Sequence, residues 1–378
     1  MSKHRNQHFV PQHYLRRFSF DEGKRIRLFN LASAKYVPEA ALKHQCASNC
    51  FYTEDLRGET ILTEIEGIAE EILKGICNKR DIPSPDSGEH WDLMTVLLLM
   101  HTRTEREAEM QNDFVDLVAK RTISMSSDPR SVEIAPNLHK VRIRDRAVGL
   151  RMAKSALHYP HLLYDLTLRL IIAPDGMFFV TSDHPVVFLN QAFFDVIRDP
   201  AIAGTASKGL QIFLPISPDL LLLAFDRNFY RVGVRKRTFY QLERKEDCDI
   251  INALQILNCD RNIYFKDEDA LPQVRAMTHR FLAARERIAD RAKPMEIPMP
   301  DGSPGFLHVY KQPVIPVPGP WSFCKRRGPV RRSDFGVRDP RLLRLVREHS
   351  EHLQRTDRSI SFDDWLAEER MKAMMLSA

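Results

Sequence analysis

A chain of 378 residues with 43% hydrophobic and 28% charged side chains has the composition of a folded globular protein, long enough for more than one hydrophobic core. No apolar run approaches the roughly 18 to 20 residues of a membrane-spanning helix, and the polar opening Met1-Ser-Lys-His-Arg-Asn-Gln-His contains no signal-peptide stretch, so a cytoplasmic protein is expected. Six scattered cysteines exclude a disulfide framework, and the net charge is a modest +6.

In chain order, Arg25 to Asn30 alternates basic and apolar side chains straight after the turn Asp21-Glu22-Gly23, which predicts a hairpin. Ile61, Leu62, Ile65, Ile68, Ala69, Ile72, Leu73 and Ile76 recur at helical spacing and predict one amphipathic helix over 59–79, ended by Pro83, Pro85 and Gly88. A second helical stretch is expected over 90–118, with a buried first half. A third is expected over 143–158, closed by Tyr159-Pro160.

The pattern then changes to short, apolar, often β-branched runs at 165–172, 177–181, 186–189, 211–214 and 220–225. A helix is expected over 246–257, a last strand over 263–265, and helices over 341–353 and 363–375, the last begun by Ser361. Helices interposed among runs of strands predict an α+β fold with a mixed or antiparallel sheet. The expected division is a core over 1–290, a Pro/Gly-rich basic linker or arm over 291–340, and a helical tail over 341–378. There is no internal repeat.

Charge is concentrated in the arm. Between Lys311 and Arg347 there are ten Lys or Arg against Asp334 and Asp339, a net +8 in a chain whose total is +6. Lys325, Arg326, Arg327, Arg331 and Arg332 lie among Trp321, Phe323 and Phe335, a mixture that suits phosphate contact with base stacking on RNA or DNA. The same charge also suits docking on an acidic protein partner.

The opening His8-Phe9-Val10-Pro11-Gln12-His13-Tyr14-Leu15-Arg16-Arg17-Phe18 resembles the HxVPQxYLxxF start of the domain of unknown function 4238 family of bacteria. Phe51-Tyr52 before a helix bearing Glu64 and Glu66, the Arg103 to Arg106 region, Thr181-Ser182-Asp183-His184-Pro185, Pro215-Ile216-Ser217-Pro218 and Asn252 resemble family landmarks in the same order. The chain carries Glu105 where the family usually has proline, and His184 where it often has asparagine. The resemblance spans about residues 4 to 290 and implies a shared fold unit. By association it implies a toxin or antiphage-defence role, and it implies no particular reaction.

Read chemically, His8, Gln12, His101, Arg103, Arg106 and Asp183 are the candidate catalytic residues. Histidine can carry a proton, arginine can grip phosphate, and an aspartate at a strand end can act as base or metal ligand. On a continuous helix His101 would neighbour Glu105, and Thr102 would neighbour Arg106. Each candidate also has an architectural reading: buried backbone satisfied by His8 and Gln12, turn chemistry at Ser182-Asp183, an ion-pair face around Arg103. Arg151 and His158 repeat a spacing seen in some helical RNases, and His44, Cys46 and Cys50 supply fewer than the four ligands of a closed zinc site. There is no GxxxxGK[ST], GxGxxG, GxSxG or HExxH motif. The leading expectation is a nuclease, with Mg²⁺ or Mn²⁺ as its conceivable cofactor. The alternatives are a non-catalytic module that docks an acidic partner through the arm, and an enzyme acting on a small phosphorylated ligand.

Overall fold

The computed structural model describes residues 6–49, 51–52, 57–85, 87–197, 200–234, 237–288, 294–298, 304–308, 321–356 and 360–376. Strand β1 (Asn6–His8) leads through Pro11 into the single-turn helix α1 (Gln12–Leu15). The expected hairpin is β2 (Arg25–Asn30) with β3 (Lys35–Ala41), after which β4 (Ala47–Asn49) returns to pair with β1. Five helices follow: α2 (Arg57–Lys79), α3 (Gly88–Thr102), α4 (Glu105–Met125), α5 (Pro129–Ile134) and α6 (Val148–His158). Next come the strands β5 (Thr167–Ile172), β6 (Thr181–Ser182), β7 (Val187–Leu189), β8 (Gln211–Ser217), β9 (Leu220–Phe225), β10 (Tyr230–Val232) and β11 (Phe239–Gln241). Helix α7 (Lys245–Asn258), strand β12 (Asn262–Phe265) and helix α8 (Leu271–Ile288) precede the ribbon β13 (Pro294–Pro298) and β14 (Pro304–His308). Strand β15 (Cys324–Arg326) and helices α9 (Pro340–Thr356) and α10 (Phe362–Leu376) complete the described chain.

The fold is α+β. Besides three two-stranded pairs among the described residues, one sheet has the order β11-β5-β9-β8-β7, antiparallel except for the parallel edge pair β11 with β5, and a second larger sheet has the order β3-β2-β12-β6. Strand β9 shows why the first sheet is central. Leu220, Leu222 and Ala224 enter the core shared with α2, α3 and α6, whereas Leu221, Leu223 and Phe225 enter the core covered by α7. A strand buried on both faces has no polar alternation, which is why its sequence is one unbroken apolar run. No helix among the described residues is long and apolar enough to cross a membrane.

Three departures from the sequence reading have local causes. The helix expected over 90–118 is two, because Thr104 takes an extended conformation (ψ 157°) and caps α4 by accepting from the Glu107 N–H. Residues 177–180 form no ladder: the Phe179 N–H donates to the Pro218 carbonyl (2.7 Å), and the Val180 N–H donates to the side chain of Asn252 (2.9 Å). The helix expected from Ile143 begins at Val148, since the Ile143 N–H is held by the Asp116 carboxylate and that of Asp145 by the Asn112 side chain.

The arm is fastened to the rest of the fold from Trp321 onward. Residues 309–320 lie outside the described residues. From Trp321 onward, β15 pairs with β10, and Trp321, Phe323 and Cys324 are buried in the α7-side core. Each buried aromatic of this size stabilises by about 1.5–3 kcal/mol, so Trp321 and Phe323 anchor the segment and do not present faces for base stacking. Phe335 packs edge-on against Phe193 at 5.2 Å. The Arg338 guanidinium donates to the carbonyls of Leu162, Thr205 and Ser207 and pairs with Asp165, which fastens the segment leading into α9. Helices α9 and α10 close over Tyr159 and Leu162 with Val346, Ile360, Phe362 and Trp365, and Ser361 caps α10 by accepting from the Asp364 N–H.

Candidate functional site

Two polar clusters meet at the elbow between α3 and α4. The first is built on the N-terminal signature. Pro11 removes a donor and turns the chain out of β1, so the carbonyls of His8 and Phe9 need partners from elsewhere. Arg103, fully buried at the elbow, donates to both (3.1 and 3.2 Å) and forms an ion pair with Glu66 of α2. The Tyr52 hydroxyl also donates to the His8 carbonyl (3.1 Å), and Tyr14 reaches Thr181 (2.6 Å) and the Pro215 carbonyl (2.7 Å). Tyr14 therefore ties the signature to both sheets.

His8 and Gln12 face each other within this frame, both half-buried. The His8 Nδ1 donates to the Gln45 carbonyl (3.1 Å), which leaves Nε2 to accept from the Gln12 amide (2.6 Å). Burial lowers the His8 pKa, so the ring is neutral at neutral pH with its lone pair on Nε2. The exposed Arg16 sits one turn further on, its guanidinium 3.4 Å from the Gln12 side-chain oxygen. His13, on the other side of α1, is buried and its pKa falls to about 4 through desolvation, against the opposing charges of Glu66 and Glu70.

The second cluster lies around the β6–β7 connection. Asp183 is buried, and its carboxylate accepts from the N–H groups of Asp260 (2.7 Å), Arg261 (2.8 Å) and Asn262 (2.9 Å) at the start of β12. Burial, followed by the neighbouring Asp260, raises its pKa to about 6 in spite of those three donors. The next residue, His184, is also buried. Its Nδ1 lies 2.7 Å from the Thr104 hydroxyl, and its Nε2 lies 3.6 Å from Glu107. His101 ends α3 with Nδ1 donating to the Val186 carbonyl (3.2 Å) and its ring stacked on Phe188. Burial depresses the pKa of both imidazoles. Arg106 turns away from this group and bonds the carbonyls of Asn258 and Cys259, capping the C-terminus of α7.

The profile of the family described as protein of unknown function (DUF4238) matches residues 6–269. The chain belongs to that family. No curated protein and no solved structure matches it.

In this DUF4238 chain the six candidates fall into two groups. His8, Gln12 and Arg103 share the signature cluster, while His101, Arg106 and Asp183 surround the β6–β7 connection, and residues 101–106 join the two. The side-chain pairing expected of His101 with Glu105 on one helix is not formed, because the elbow intervenes; Glu105 instead lies 3.7 Å from Arg261. Arg151 pairs with Asp145, and His158 packs against His349, so those two residues do not converge. Cys46 is buried with its thiol on the Tyr264 hydroxyl (3.4 Å), and Cys50 lies outside the described residues.

Sequence reasoning missed Glu107, His184, Gln255 and Asn258 as members of the site. Gln255 and Asn258 follow Asn252 at helical spacing on α7 and bond the segment 182–186: Gln255 to Ser182 (2.9 Å) and the Pro185 carbonyl (2.8 Å), Asn258 to the carbonyls of His184 (2.7 Å) and Val186 (3.2 Å). Three amides at positions i, i+3 and i+6 within the otherwise apolar stretch Ile250 to Asn258 were the available signal. Lys325, Arg326, Arg327, Arg331 and Arg332 are all exposed on the fastened arm. Arg327 partly satisfies itself on the carbonyl of Arg227 (2.7 Å).

Proposed function

We propose that this chain acts on nucleic acid, holding RNA or DNA on the basic face of the β10–β15 ribbon and cleaving it as a nuclease of bacterial toxin or antiphage-defence type. One observation carries the reading. The antiparallel register sets Arg231 opposite Lys325, both side chains are exposed, and neither has a carboxylate partner among the described residues. Like charges directly opposite on a ladder repel by about 0.2–1 kcal/mol, and a phosphate between them reverses the sign of that term. Arg227, Arg326, Arg327, Arg331 and Arg332 enlarge the exposed basic surface, with Asp195 3.9 Å from Arg326 as its counter-charge. The ribbon therefore offers phosphate contacts without the stacking aromatics.

For the chemistry, the half-buried His8 is the candidate general base, since its neutral ring keeps the Nε2 lone pair toward Gln12. A substrate would take the place of the Gln12 amide, and Arg16 would meet the phosphate. Arg103, His101, Arg106 and Asp183 form the buried frame behind them, and a Mg²⁺ or Mn²⁺ ion accompanying the phosphates is the expected cofactor.

The test is incubation of the purified chain with labelled RNA and DNA, with and without Mg²⁺ or Mn²⁺, beside His8→Ala and an Arg231→Glu/Lys325→Glu double variant. The reading expects affinity that falls steeply with salt, at least tenfold weaker binding by the double variant, and binding without cleavage by His8→Ala. Affinity flat with salt removes the electrostatic basis. Salt-dependent binding with no cleavage under any condition reduces the chain to a binding protein. Absence of both turns the search to an acidic protein partner for the ribbon.

A further inference from the structure

We infer that His101, Glu107 and His184 form a buried site for one divalent transition-metal ion of the zinc or iron(II) class. Their ligand atoms all lie within 4.8 Å of one another, and the three residues are 6%, 4% and 1% exposed. They come from three places that the fold forces together: the end of α3, the first turn of α4 beyond the Thr104 cap, and the connection from β6 to β7. Two imidazoles and one carboxylate are a donor set that zinc and iron(II) both accept.

Each ring is oriented from its far side. The His101 Nδ1–H is held by the Val186 carbonyl, which makes Nε2 the lone-pair nitrogen, and that nitrogen is buried without a hydrogen-bond partner among the described residues. His184 is held at Nδ1 by Thr104, so its Nε2 points at Glu107. Metal-bound histidines are fixed in this way, by a hydrogen bond from the nitrogen that does not ligate. The His184 to Glu107 separation of 3.6 Å is too long for a hydrogen bond. It is close to the ~3.3 Å spanned by two ligands of a tetrahedral ion with bonds of about 2.05 Å. Three protein ligands leave one position for water or a small ligand, and the two chain segments they join, 101–107 and 184, would be cross-linked by the ion.

This site stands apart from the nuclease reading, because its occupancy is measured without nucleic acid. Purified full-length chain is assayed for metals by plasma mass spectrometry, then stripped with chelator and titrated with Zn²⁺ and Co²⁺, following the melting temperature and the visible absorption of bound Co²⁺. We expect about one zinc or iron per chain as purified, a rise in melting temperature on adding Zn²⁺ to the stripped protein, and Co²⁺ binding weakened at least tenfold in Glu107→Gln. Arg151→Ala, outside the site, serves as the control. The inference is overturned if folded, stripped wild type binds neither ion, or if Glu107→Gln takes up Co²⁺ as tightly as wild type. Should Glu107→Gln fail to fold, the wild-type titration alone decides.

Discussion

Arg103 and Glu66 form an ion pair in which the arginine side chain is 1% exposed and the glutamate 31%. The pair links the elbow of α3 and α4 to α2 while the same guanidinium holds the carbonyls of His8 and Phe9. Replacing Arg103 by Met takes the guanidinium from the Phe9 carbonyl and the Glu66 carboxylate and leaves the His8 carbonyl with Tyr52 alone. Removing one partner of a buried pair costs about 3–5 kcal/mol, and Arg103→Met should fall in that range. Glu66→Gln should cost less, because the amide still accepts a hydrogen bond and water reaches that end. Urea unfolding midpoints measured at unchanged slope test the order, and equal costs would mean that the carbonyl bonds contribute little.

Strand β9 offers a simpler test of the core. Leu222 is fully buried between its neighbours in β5 and β8 and faces the α2 and α3 side. Leu222→Ala should destabilise by about 2–5 kcal/mol through lost transfer energy and the cavity left behind. A loss below about 1 kcal/mol in thermal or urea unfolding would show that the sheet repacks around the gap.

His13 predicts a pH dependence of stability. Its folded pKa of about 4 lies below the ordinary 6.5 because the buried ring resists charge. Between these values the unfolded chain takes up a proton that the folded chain refuses. The contribution of His13 is therefore intact above about pH 6.5 and is lost as pH falls toward 4. Wild type should lose melting temperature over that window faster than His13→Gln, which has no group titrating there. Parallel melting curves for the two proteins from pH 7 to 4.5 would show that His13 is protonated in the folded state.

Most of the fold could be read from the sequence because its signals are local. The unbroken apolar run of β9, the amphipathic spacing of α2 and the Ser361 cap each determine one element without help from distant residues. The signature was legible as a unit, since Pro11 and the aromatic frame around His8 and Gln12 lie within eleven residues. What was hidden depends on partners far along the chain. Thr104 reads as one more helical residue until its hydroxyl is seen capping α4. Trp321 and Phe323 read as stacking platforms until β15 is paired with β10. His184 and Glu107 are 77 positions apart in sequence, and nothing local announces that the elbow and the β6–β7 connection bring them together.

The Arg231 and Lys325 pair gives the prediction that separates specific electrostatics from general basicity. Each phosphate neutralised by the protein contributes about 0.9 to the slope of log affinity against log salt for duplex DNA, and about 0.7 for a single strand. If both residues contact phosphate, the double variant Arg231→Ala/Lys325→Ala should lower that slope by about 1.8 on duplex DNA or ~1.4 on a single strand, with melting temperature unchanged or slightly raised as the cross-strand repulsion disappears. Arg341→Ala, exposed at the start of α9 and outside the ribbon strands, should leave the slope alone if binding is confined to the ribbon. A slope that falls equally in both variants would assign nucleic-acid contact to the whole basic segment, and a slope that changes in neither would remove the ribbon from the binding surface.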